Sequence, residues 1–523
     1  MSEDCLYLNL YSPYEPSNPH ALYPVMVYIH GGSYLFGSAN DYDGSVLPQF
    51  GVVVVTINYR LGILGLMTSG DQKMSGNYGI KDQTMTLQWV SEHIRAFRGD
   101  PSKVTIFGNS AGGGSVGLLL ASPRAKDLFH RAIIQSGPVI AFWGTHSMKT
   151  DLKAYFKEVS GAAGCSSANI EAAIICLKNL PWAKLVAPSK PYPLSGILLD
   201  FKPWADGVFL PRYVNELIQR GEVNKVPTMI GTTSAEWTKN MGWSFNSGYP
   251  SIFSTFDKEG LKRSEFIQIM DYLSREKLSI PRPVMDALEF EYTDWKQPSD
   301  PIVNRDEYIQ FFSDLAMVSP SVQMAEHLTQ VSVPVYFYSF DHALPPDTEF
   351  GNGMTRATNK SYHQIELHFV FGGPHSSKTV KSDKVRVNFS DKDREVSTKT
   401  MKLWTNFAKY GAPTPTGVDS YNMNWQEFTM ESSGYLHLAS DDFNMQNHFS
   451  ARRMALWNNL VPMMKTSLEE SNDSPKNASV SALWIFLGLC LVLTMIVIIL
   501  GIIICKLKQY NRYDWNHTNT VAT

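Results

Sequence analysis

Short apolar runs without charged residues recur along the chain and predict buried β-strands. They occupy residues 24–30, 52–57, 104–107, 132–135, 226–231 and 334–340. Stretches with helical spacing of apolar positions lie between them, at residues 80–96, 116–121, 153–159 and 213–220. Apolar strands that alternate with helices are typical of an α/β fold with a mostly parallel sheet covered on both faces.

The same pattern divides the chain into segments. No linker composition interrupts residues 1–464, so we predict that they form one domain. Residues 465–481 are polar and indicate a stalk. Residues 482–505 carry no charge and are long enough to cross a bilayer, so they predict one C-terminal transmembrane helix. Basic residues follow this span and predict that residues 506–523 form a cytoplasmic tail.

The start of the chain differs from that of a secreted protein. An alternating strand pattern begins within residues 1–11, and no basic segment followed by an apolar one precedes it. The sequence therefore contains no recognisable signal peptide.

Composition narrows the functional classes. The 523 residues are 44% hydrophobic and 18% charged, which indicates a globular core. The net charge of -3 gives no argument for nucleic-acid binding. No cluster of metal ligands stands out, and we predict neither a metal nor an organic cofactor.

The cysteines allow one local cross-link. Cys165 and Cys176 bracket a short polar loop. They either form a disulfide, which would contribute about 3 kcal/mol by closing that loop, or remain free thiols. Cys5 has no partner in the first arrangement.

Ser110 is the candidate nucleophile. Residues 108–112 read Gly-Asn-Ser-Ala-Gly and fit G-x-S-x-G between a predicted strand and a predicted helix. In that setting the turn is so tight that only glycine fits two residues either side of the serine, and the hydroxyl is lifted out of the sheet. A structural serine in a tight turn is the alternative. Residues 113–117 also fit the pattern, but Ser115 lies inside the predicted helix, so we interpret it as packing.

A serine nucleophile requires a base and a group that orients the base. In this type of fold an acid and then a histidine follow the serine along the chain. Glu236 comes soon after the predicted strand 226–231, where loops meet the active edge of a sheet. His363 and His368 compete as the base, and we prefer His363 because His368 lies among apolar residues.

Donors for an oxyanion are the remaining requirement. Backbone N–H groups of the turn formed by Gly31, Gly32 and Ser33, together with that of Ala111, would supply them. Loss of one such donor typically costs about 2.7–4 kcal/mol of transition-state stabilisation. An ordinary turn is the alternative interpretation of Gly31 and Gly32.

With these motifs in place, the chain resembles the type-B carboxylesterase and cholinesterase family of α/β-hydrolases over residues 3–464. The matching segments are residues 3–9, 30–32, 58–62, 76–79, 82–83, 99–101, 108–112, 135–137 and 369–372. The resemblance implies a mixed, mostly parallel central sheet flanked by helices. It implies a catalytic triad at Ser110, Glu236 and His363, with oxyanion donors at Gly32, Ser33 and Ala111. It also implies an acyl-pocket tryptophan at Trp143 and a short disulfide loop between Cys165 and Cys176.

Within this family the chain is most similar to the neuroligin branch, at residues 28–34, 57–65, 292–295 and 404–409. Neuroligins are adhesion proteins that lack the nucleophilic serine, whereas this chain keeps it. Two functions follow as expectations: a membrane-anchored serine carboxylesterase for small esters, or a cell-surface adhesion protein with a synaptic, neurexin-type partner and an unused site. Asn109 and Ser33 depart from many family enzymes, which carry an acid and a glycine there.

The resemblance carries further expectations about the whole protein. It implies a type I plasma-membrane protein with an extracellular catalytic domain, and it implies that the N-terminal part of the domain, with a signal peptide, is missing. Glycosylation sequons stand on the expected outer side at Asn359, Asn388 and Asn477. A homodimer through residues 399–408 and 452–460 is expected, with packing of these segments on the parent domain as the alternative.

The resemblance also suggests a limit on the substrate. Lys239 and Asn240 stand where cholinesterases have aromatic residues, three and four positions after the triad glutamate. Aromatic faces hold quaternary ammonium groups by cation–π contacts. We therefore expect no selectivity for choline esters.

Overall fold

The computed structural model describes residues 2–15, 17–18, 20–185, 201–238, 256–278, 280–344, 348–350, 360–376, 385–440, 442–473, 500, 502–504 and 506. The chain divides into two compact units, residues 1–459 and 460–523. The first unit contains the strands and the predicted site, and the second contains the helix Val461–Asp473.

Strands of the described chain form one large sheet and one small one. Their bounds are β1 Leu8–Tyr11, β2 Tyr23–Ile29, β3 Val53–Ile57, β4 Gly99–Asn109, β5 Arg131–Gln135, β6 Thr228–Thr233, β7 Val335–Phe340, β8 Glu349–Phe350, β9 Val385–Arg386, β10 Tyr435–Leu438 and β11 Phe443–Gln446. The large sheet has the order β1-β3-β2-β4-β5-β6-β7-β10-β11, and β8 pairs with β9. β1 and β11 run antiparallel to their neighbours, while the pairings from β3 to β10 are parallel. The prediction of a mixed, mostly parallel sheet is confirmed.

Burial on both faces explains why the strands were visible as apolar runs. All residues of β3 and all residues of β7 are buried. A strand covered on both sides cannot alternate between apolar and polar positions, and it reads as a continuous apolar segment. The six predicted strands correspond to β2 to β7, with differences of a few residues at their ends.

Helices cover the sheet. Among the described residues of the first unit, the α-helical bounds are Gly62–Leu66, Tyr78–His93, Ala111–Ala121, Leu152–Ala162, Ile170–Asn179, Trp182–Leu185, Val214–Gln219, Phe256–Glu259, Arg263–Tyr272, Arg282–Glu291, Pro301–Ser313, Ser319–Gln330, Glu366–Val370, Asp391–Tyr410 and Ala451–Ala455. π-helical turns occupy Leu273–Lys277, Asp314–Val318 and Leu456–Leu460. The four predicted helices all correspond to observed ones.

One helix start was predicted wrongly. The helix after Ser110 begins at Ala111 rather than at Val116. Three consecutive glycines fill its first turn and disfavour a helix by propensity. They are accommodated because this turn lies close to β2: a Cβ at Gly112 would lie 2.0 Å from the carbonyl oxygen of Ile29.

The predicted C-terminal segments fall largely outside the described residues. The helix Val461–Asp473 continues through the first part of the predicted stalk. No helix among the described residues is both long and apolar enough for a membrane span. The predicted span 482–505 lies outside those residues, apart from positions 500 and 502–504.

The segment 399–408, proposed as a dimer helix, packs within its own unit. It belongs to the helix Asp391–Tyr410, and its large apolar side chains Met401, Leu403, Trp404 and Phe407 are buried there. These side chains need no second subunit to cover them.

Candidate active site

The predicted site residues lie at one edge of the large sheet. Gly31 follows β2, Ser110 follows β4, and Glu236 follows β6. Because these strands are parallel, their carboxyl ends meet at the same edge, which is where α/β sheets place their sites.

Ser110 occupies a strained turn between β4 and its helix. Its φ of 58° and ψ of -125° lie outside the regions that side chains favour. Its N–H donates to the carbonyl of Gln135 at 2.9 Å, which attaches the turn to β5. The side chain is half-buried. Sequence and structure agree on a strand, a tight turn and a helix around this serine.

Ser115, the second serine in a G-x-S-x-G match, has a structural role. It is fully buried in the helix Ala111–Ala121. Its hydroxyl donates to the carbonyl of Ala111 at 3.0 Å and accepts from Gln83 Nε2 at 3.0 Å. Both contacts hold the helix in place.

Glu236 and His363 form a buried pair. His363 Nδ1 lies 2.6 Å from Glu236 Oε2, and the two residues are 2% and 0% exposed. The residues just before them, Ala235 and Tyr362, are joined by a parallel β-bridge. This bridge brings two segments together that are 127 residues apart in sequence. Glu236 thus pairs with His363, the histidine that we preferred to His368.

The other ring nitrogen of His363 is available for proton transfer. Nε2 is buried and has no hydrogen-bond partner among the described residues. No hydrogen bond therefore joins His363 Nε2 to Ser110 Oγ in the described structure. Catalytic hydrogen bonds of this kind are often long without substrate and tighten in the complex.

The glycine turn after β2 lies against Ser110. A Cβ at Gly31 would lie 2.6 Å from the carbonyl oxygen of Asn109 and 3.1 Å from Ser110 Cβ. Gly32 has a φ of 109° and Ser33 a φ of 59°, so the turn needs conformations that favour glycine. Among the backbone hydrogen bonds of the described residues, none has the N–H of Gly32, Ser33 or Ala111 as its donor.

His30, just before this turn, is held neutral. Burial lowers its pKa to about 4. Its Nδ1 lies 2.8 Å from the carbonyl oxygen of Gly31, its ring stacks on Tyr59 at 4.5 Å, and the Tyr59 hydroxyl donates to the carbonyl of His30. These contacts fix the start of the turn.

Trp143 borders the first turn of the helix Ala111–Ala121. A Cβ at Gly114 would lie 3.4 Å from Trp143 Cζ3. The indole N–H donates to the carbonyl of Ala316 at 2.8 Å, and the side chain is buried. Trp143 therefore packs beside the helix that follows Ser110, and its acyl-pocket role stays a prediction.

Ser136 is a site residue whose role the sequence did not reveal. Its hydroxyl donates to Glu236 Oε1 at 2.6 Å, and the N–H of Thr233 donates to the same oxygen at 2.7 Å. The sequence signal was present in residues 135–137, which match the family. No local pattern connects that serine with an acid 100 residues away.

A second buried carboxyl, that of Glu366, lies beside the nucleophile turn. Its Oε1 accepts from Asn109 Nδ2 at 2.8 Å and from Gln135 Nε2 at 3.3 Å. Burial, and secondarily the charge of Glu236, raises its pKa to about 8. Sequence reasoning named Asn109 as a departure from the family but did not find its partner.

The remaining predicted positions have separate outcomes. The disulfide Cys165–Cys176 is confirmed, and Cys5 is a free thiol. Asn388 is exposed. No group of residues in the described ranges has a metal-binding arrangement. Outside the described residues lie Lys239, Asn240, Asn359 and Asn477.

Comparison with known proteins identifies the relatives. The profile of the carboxylesterase family matches residues 1–457. Human neuroligin-2 is 34% identical over 495 residues, which cover 88% of this chain and 56% of that protein. Human cocaine esterase is 34% identical over 90% of this chain and 78% of its own length. The medium-chain fatty acyl-CoA hydrolase precursor of Anas platyrhynchos is 34% identical over 88% of this chain and 76% of its own length. The chain spans about half the length of the neuroligins it matches.

Proposed function

The chain belongs to the carboxylesterase family, and we propose that it is a serine esterase that hydrolyses small carboxylic esters. The observation that carries this proposal is the combination of a strained Ser110 at the strand–helix turn with the hydrogen-bonded pair His363 and Glu236. Relatives named as cocaine esterase and as fatty acyl-CoA hydrolase support a hydrolase.

In the proposed reaction the residues have separate roles. His363 Nε2 takes the proton of Ser110 as Oγ attacks the ester carbonyl. Glu236 accepts the Nδ1–H of the ring and stabilises the imidazolium that forms. The imidazolium then protonates the departing alcohol, and a water molecule activated by His363 hydrolyses the acyl-enzyme. No cofactor takes part in these steps.

The oxyanion is stabilised by backbone groups. The N–H groups of Gly32, Ser33 and Ala111 carry this role, because each is free of other protein acceptors in the described structure and lies in a turn or at a helix start beside Ser110. Such donors are already oriented before the reaction, so the protein does not have to reorganise as the negative charge develops. Loss of one donor typically costs about 2.7–4 kcal/mol of transition-state stabilisation.

Labelling with a fluorophosphonate tests the proposal. The full-length protein is expressed as wild type, Ser110→Ala and Ser115→Ala, and the labelled serine is located by peptide mass. Wild type and Ser115→Ala should label at residue 110, whereas Ser110→Ala should not. Ser115→Ala is the matched control, since its serine fits the same motif but is buried within a helix. Equal labelling of wild type and Ser110→Ala would exclude Ser110 as the nucleophile.

An adhesion role is the second candidate, and the similarity to neuroligin-2 over 88% of the chain favours it. In this case the protein would bind a partner at a neighbouring cell surface, and the triad would be unused. Cell-aggregation assays with wild type and Ser110→Ala separate the two functions. Aggregation that survives Ser110→Ala, in a protein that hydrolyses no ester, would favour adhesion.

We further propose that the protein is anchored in the plasma membrane, with the catalytic unit outside. The uncharged residues 482–505 and the basic residues after them support this orientation. The exposed side chain of Asn388 offers a test. Glycosidase treatment should increase the electrophoretic mobility of the protein isolated from cells. The increase should be smaller for Asn388→Gln than for wild type. An unchanged mobility of the wild type would contradict an extracellular domain.

The homodimer is a proposal that rests on the family resemblance. The apolar side chains of the helix Asp391–Tyr410 are already covered within their own unit and give it no support. Light scattering on the purified protein at micromolar concentration measures the mass directly. A monomer mass would exclude the dimer under those conditions.

A further inference from the structure

Glu366 links two parts of the proposed site. It lies on the segment that carries His363, and it contacts residues of the two strands that hold Ser110. It starts the helix Glu366–Val370 three residues after His363, and it is fully buried. Its Oε1 accepts from the side chain of Asn109, which directly precedes Ser110. The same oxygen accepts from Gln135, whose own carbonyl accepts from the N–H of Ser110. The carboxyl group therefore contacts both sides of the proposed site.

One carboxyl oxygen and two amide oxygens in this cluster lack a hydrogen-bond partner. Glu366 Oε2, Asn109 Oδ1 and Gln135 Oε1 are buried and have no hydrogen-bond partner in the described structure. An ionised carboxylate offers acceptors alone, so it cannot satisfy an amide oxygen. A protonated carboxylic acid also carries one O–H donor. With a primary amide it forms a two-bond pair, in which the amide N–H donates to one acid oxygen and the acid O–H donates to the amide oxygen.

The first bond of such a pair is present at 2.8 Å, from Asn109 Nδ2 to Glu366 Oε1. We propose that Glu366 is a neutral carboxylic acid whose pair with Asn109 positions Ser110 and His363 relative to each other. In catalysis this role rests on the proposed esterase function. Glu366 is a positioning residue, because it acts through Asn109 and the His363 segment.

The electrostatic surroundings favour the neutral form. Burial is the main cause that raises the pKa of Glu366, and Glu236 after β6 raises it further. The phenols of Tyr28 on β2 and Tyr338 on β7 also face it, and burial raises the pKa of both well above the ordinary value. Glu236 needs its negative charge to hold the imidazolium of His363. A second charge in the same interior would be opposed by burial and by Glu236.

The amide at position 109 fits this arrangement. An acid there would compete with Glu366 for a proton and would bring a second carboxyl group next to the nucleophile. Asn109 instead supplies one donor and one acceptor without charge. When alkaline pH ionises Glu366, the O–H donor is lost, and the link between the two segments is weakened.

Two substitutions distinguish a neutral acid from a charged one. Glu366→Gln keeps a neutral side chain with a donor and an acceptor, whereas Glu366→Ala removes both. With naphthyl acetate near neutral pH, Glu366→Gln should keep kcat within about threefold of wild type. Wild type should lose activity at alkaline pH as Glu366 ionises, and Glu366→Gln should not show this loss. Glu366→Ala should lose about 100-fold in kcat, as is typical of a misplaced catalytic group. Glu395→Gln, at an exposed site, should leave the pH profile unchanged.

Infrared spectroscopy of the full-length protein provides a readout that does not require activity. At about pH 6 ordinary carboxyl groups are ionised, so a protonated buried acid should give a C=O band that is absent from Glu366→Gln and disappears on alkaline titration. A wild type without this band, or equal losses of activity in both substitutions, would overturn the inference. Fluorophosphonate labelling of a wild type that lacks the band would overturn this inference and leave the esterase proposal intact. A wild type with the band but without labelling would contradict the esterase proposal, while the neutral acid would stand.

Discussion

At the scale of single residues, Glu236 is fixed through both of its oxygens. Oε1 accepts from the Ser136 hydroxyl and the Thr233 N–H, and Oε2 contacts His363 Nδ1. Hydrogen bonds to an ionised acceptor are shorter and about twice as strong as neutral ones. The orientation of the imidazole therefore depends on groups at the carboxyl ends of β5 and β6 as well as on the carboxylate.

We predict that Ser136→Ala lowers kcat/KM for naphthyl acetate by about tenfold, with most of the loss in kcat. One of three hydrogen bonds to a charged group is removed, and such bonds contribute about 1.5–3 kcal/mol. Ser122→Ala is the control, because its buried hydroxyl donates to a carbonyl, that of Phe209, outside the site. Equal kinetics for the two variants would show that Ser136 does not orient Glu236.

At Gly31 the proposed oxyanion turn lies close to the turn that holds Ser110. We predict that Gly31→Ala abolishes most activity, by about 100-fold or more, because its Cβ would lie 2.6 Å from the carbonyl oxygen of Asn109. The control is Gly161→Ala in the helix Leu152–Ala162, where a Cβ meets nothing within 4 Å. This change should raise stability by up to about 1 kcal/mol and leave activity unchanged. Steady-state kinetics and urea unfolding test both variants, and a fully active Gly31→Ala would disprove the close approach.

At the scale of elements, the π-helical turn Asp314–Val318 links a buried charge to Trp143. Asp314 is fully buried and accepts from Tyr292 at 2.6 Å and Gln310 at 3.0 Å, and it forms an ion pair with Arg453 at 2.8 Å. Two residues later, the carbonyl of Ala316 accepts from the Trp143 indole. π-Turns inside helices occur frequently at functional sites.

Asp314→Asn should therefore change stability and substrate preference together. The amide keeps the shape but leaves Arg453 without its charged partner. Since the Arg453 side chain is 34% exposed, we expect a loss of about 2 kcal/mol rather than the full value for a buried pair. Movement of the turn should shift Trp143 and change the ratio of kcat/KM for naphthyl acetate and naphthyl butyrate. Asp127→Asn, at an exposed site outside this turn, should change neither quantity. If the ratio of kcat/KM for the two esters is unchanged in Asp314→Asn, this turn does not influence substrate specificity.

Elements differed in how far sequence could predict them. β3 and β7 were recognisable because both faces are buried and the apolar run is continuous. The start of the helix Ala111–Ala121 was not, because its glycines are selected for close approach to β2 rather than for helix propensity. Motifs and chain order predicted Ser110, Glu236 and His363 together, and the structure pairs two of them, Glu236 and His363. Contacts such as those from Ser136 to Glu236 and from Asn109 to Glu366 arise only when distant strand ends meet at one edge of the sheet.

At the scale of the whole molecule, buried titratable groups set opposing pH dependences of stability. Burial lowers the pKa of His30 to about 4. Burial, and secondarily Lys202, lowers the pKa of His146 to about 3. Between these values and the ordinary 6.5, the unfolded chain binds protons that the folded chain excludes, so stability falls as the pH falls. Glu366 acts in the other direction.

The folded protein retains the Glu366 proton up to a pKa of about 8, whereas the unfolded chain loses it near 4.5. Stability contributed by this group therefore falls as the pH rises through that window, by up to about 1.4 kcal/mol per pH unit. Above about pH 6.5 the two histidines no longer oppose this fall. We predict that wild type loses about 2 kcal/mol between about pH 6.5 and pH 8, and that Glu366→Gln removes most of this loss. Urea unfolding at the two pH values measures it, with Glu395→Gln as the control, since the pKa of that exposed carboxyl is lowered and it is ionised throughout this range. The same loss in wild type and Glu366→Gln would mean that Glu366 is already ionised at pH values near 6.5, and the acid–amide pair with Asn109 could not then form.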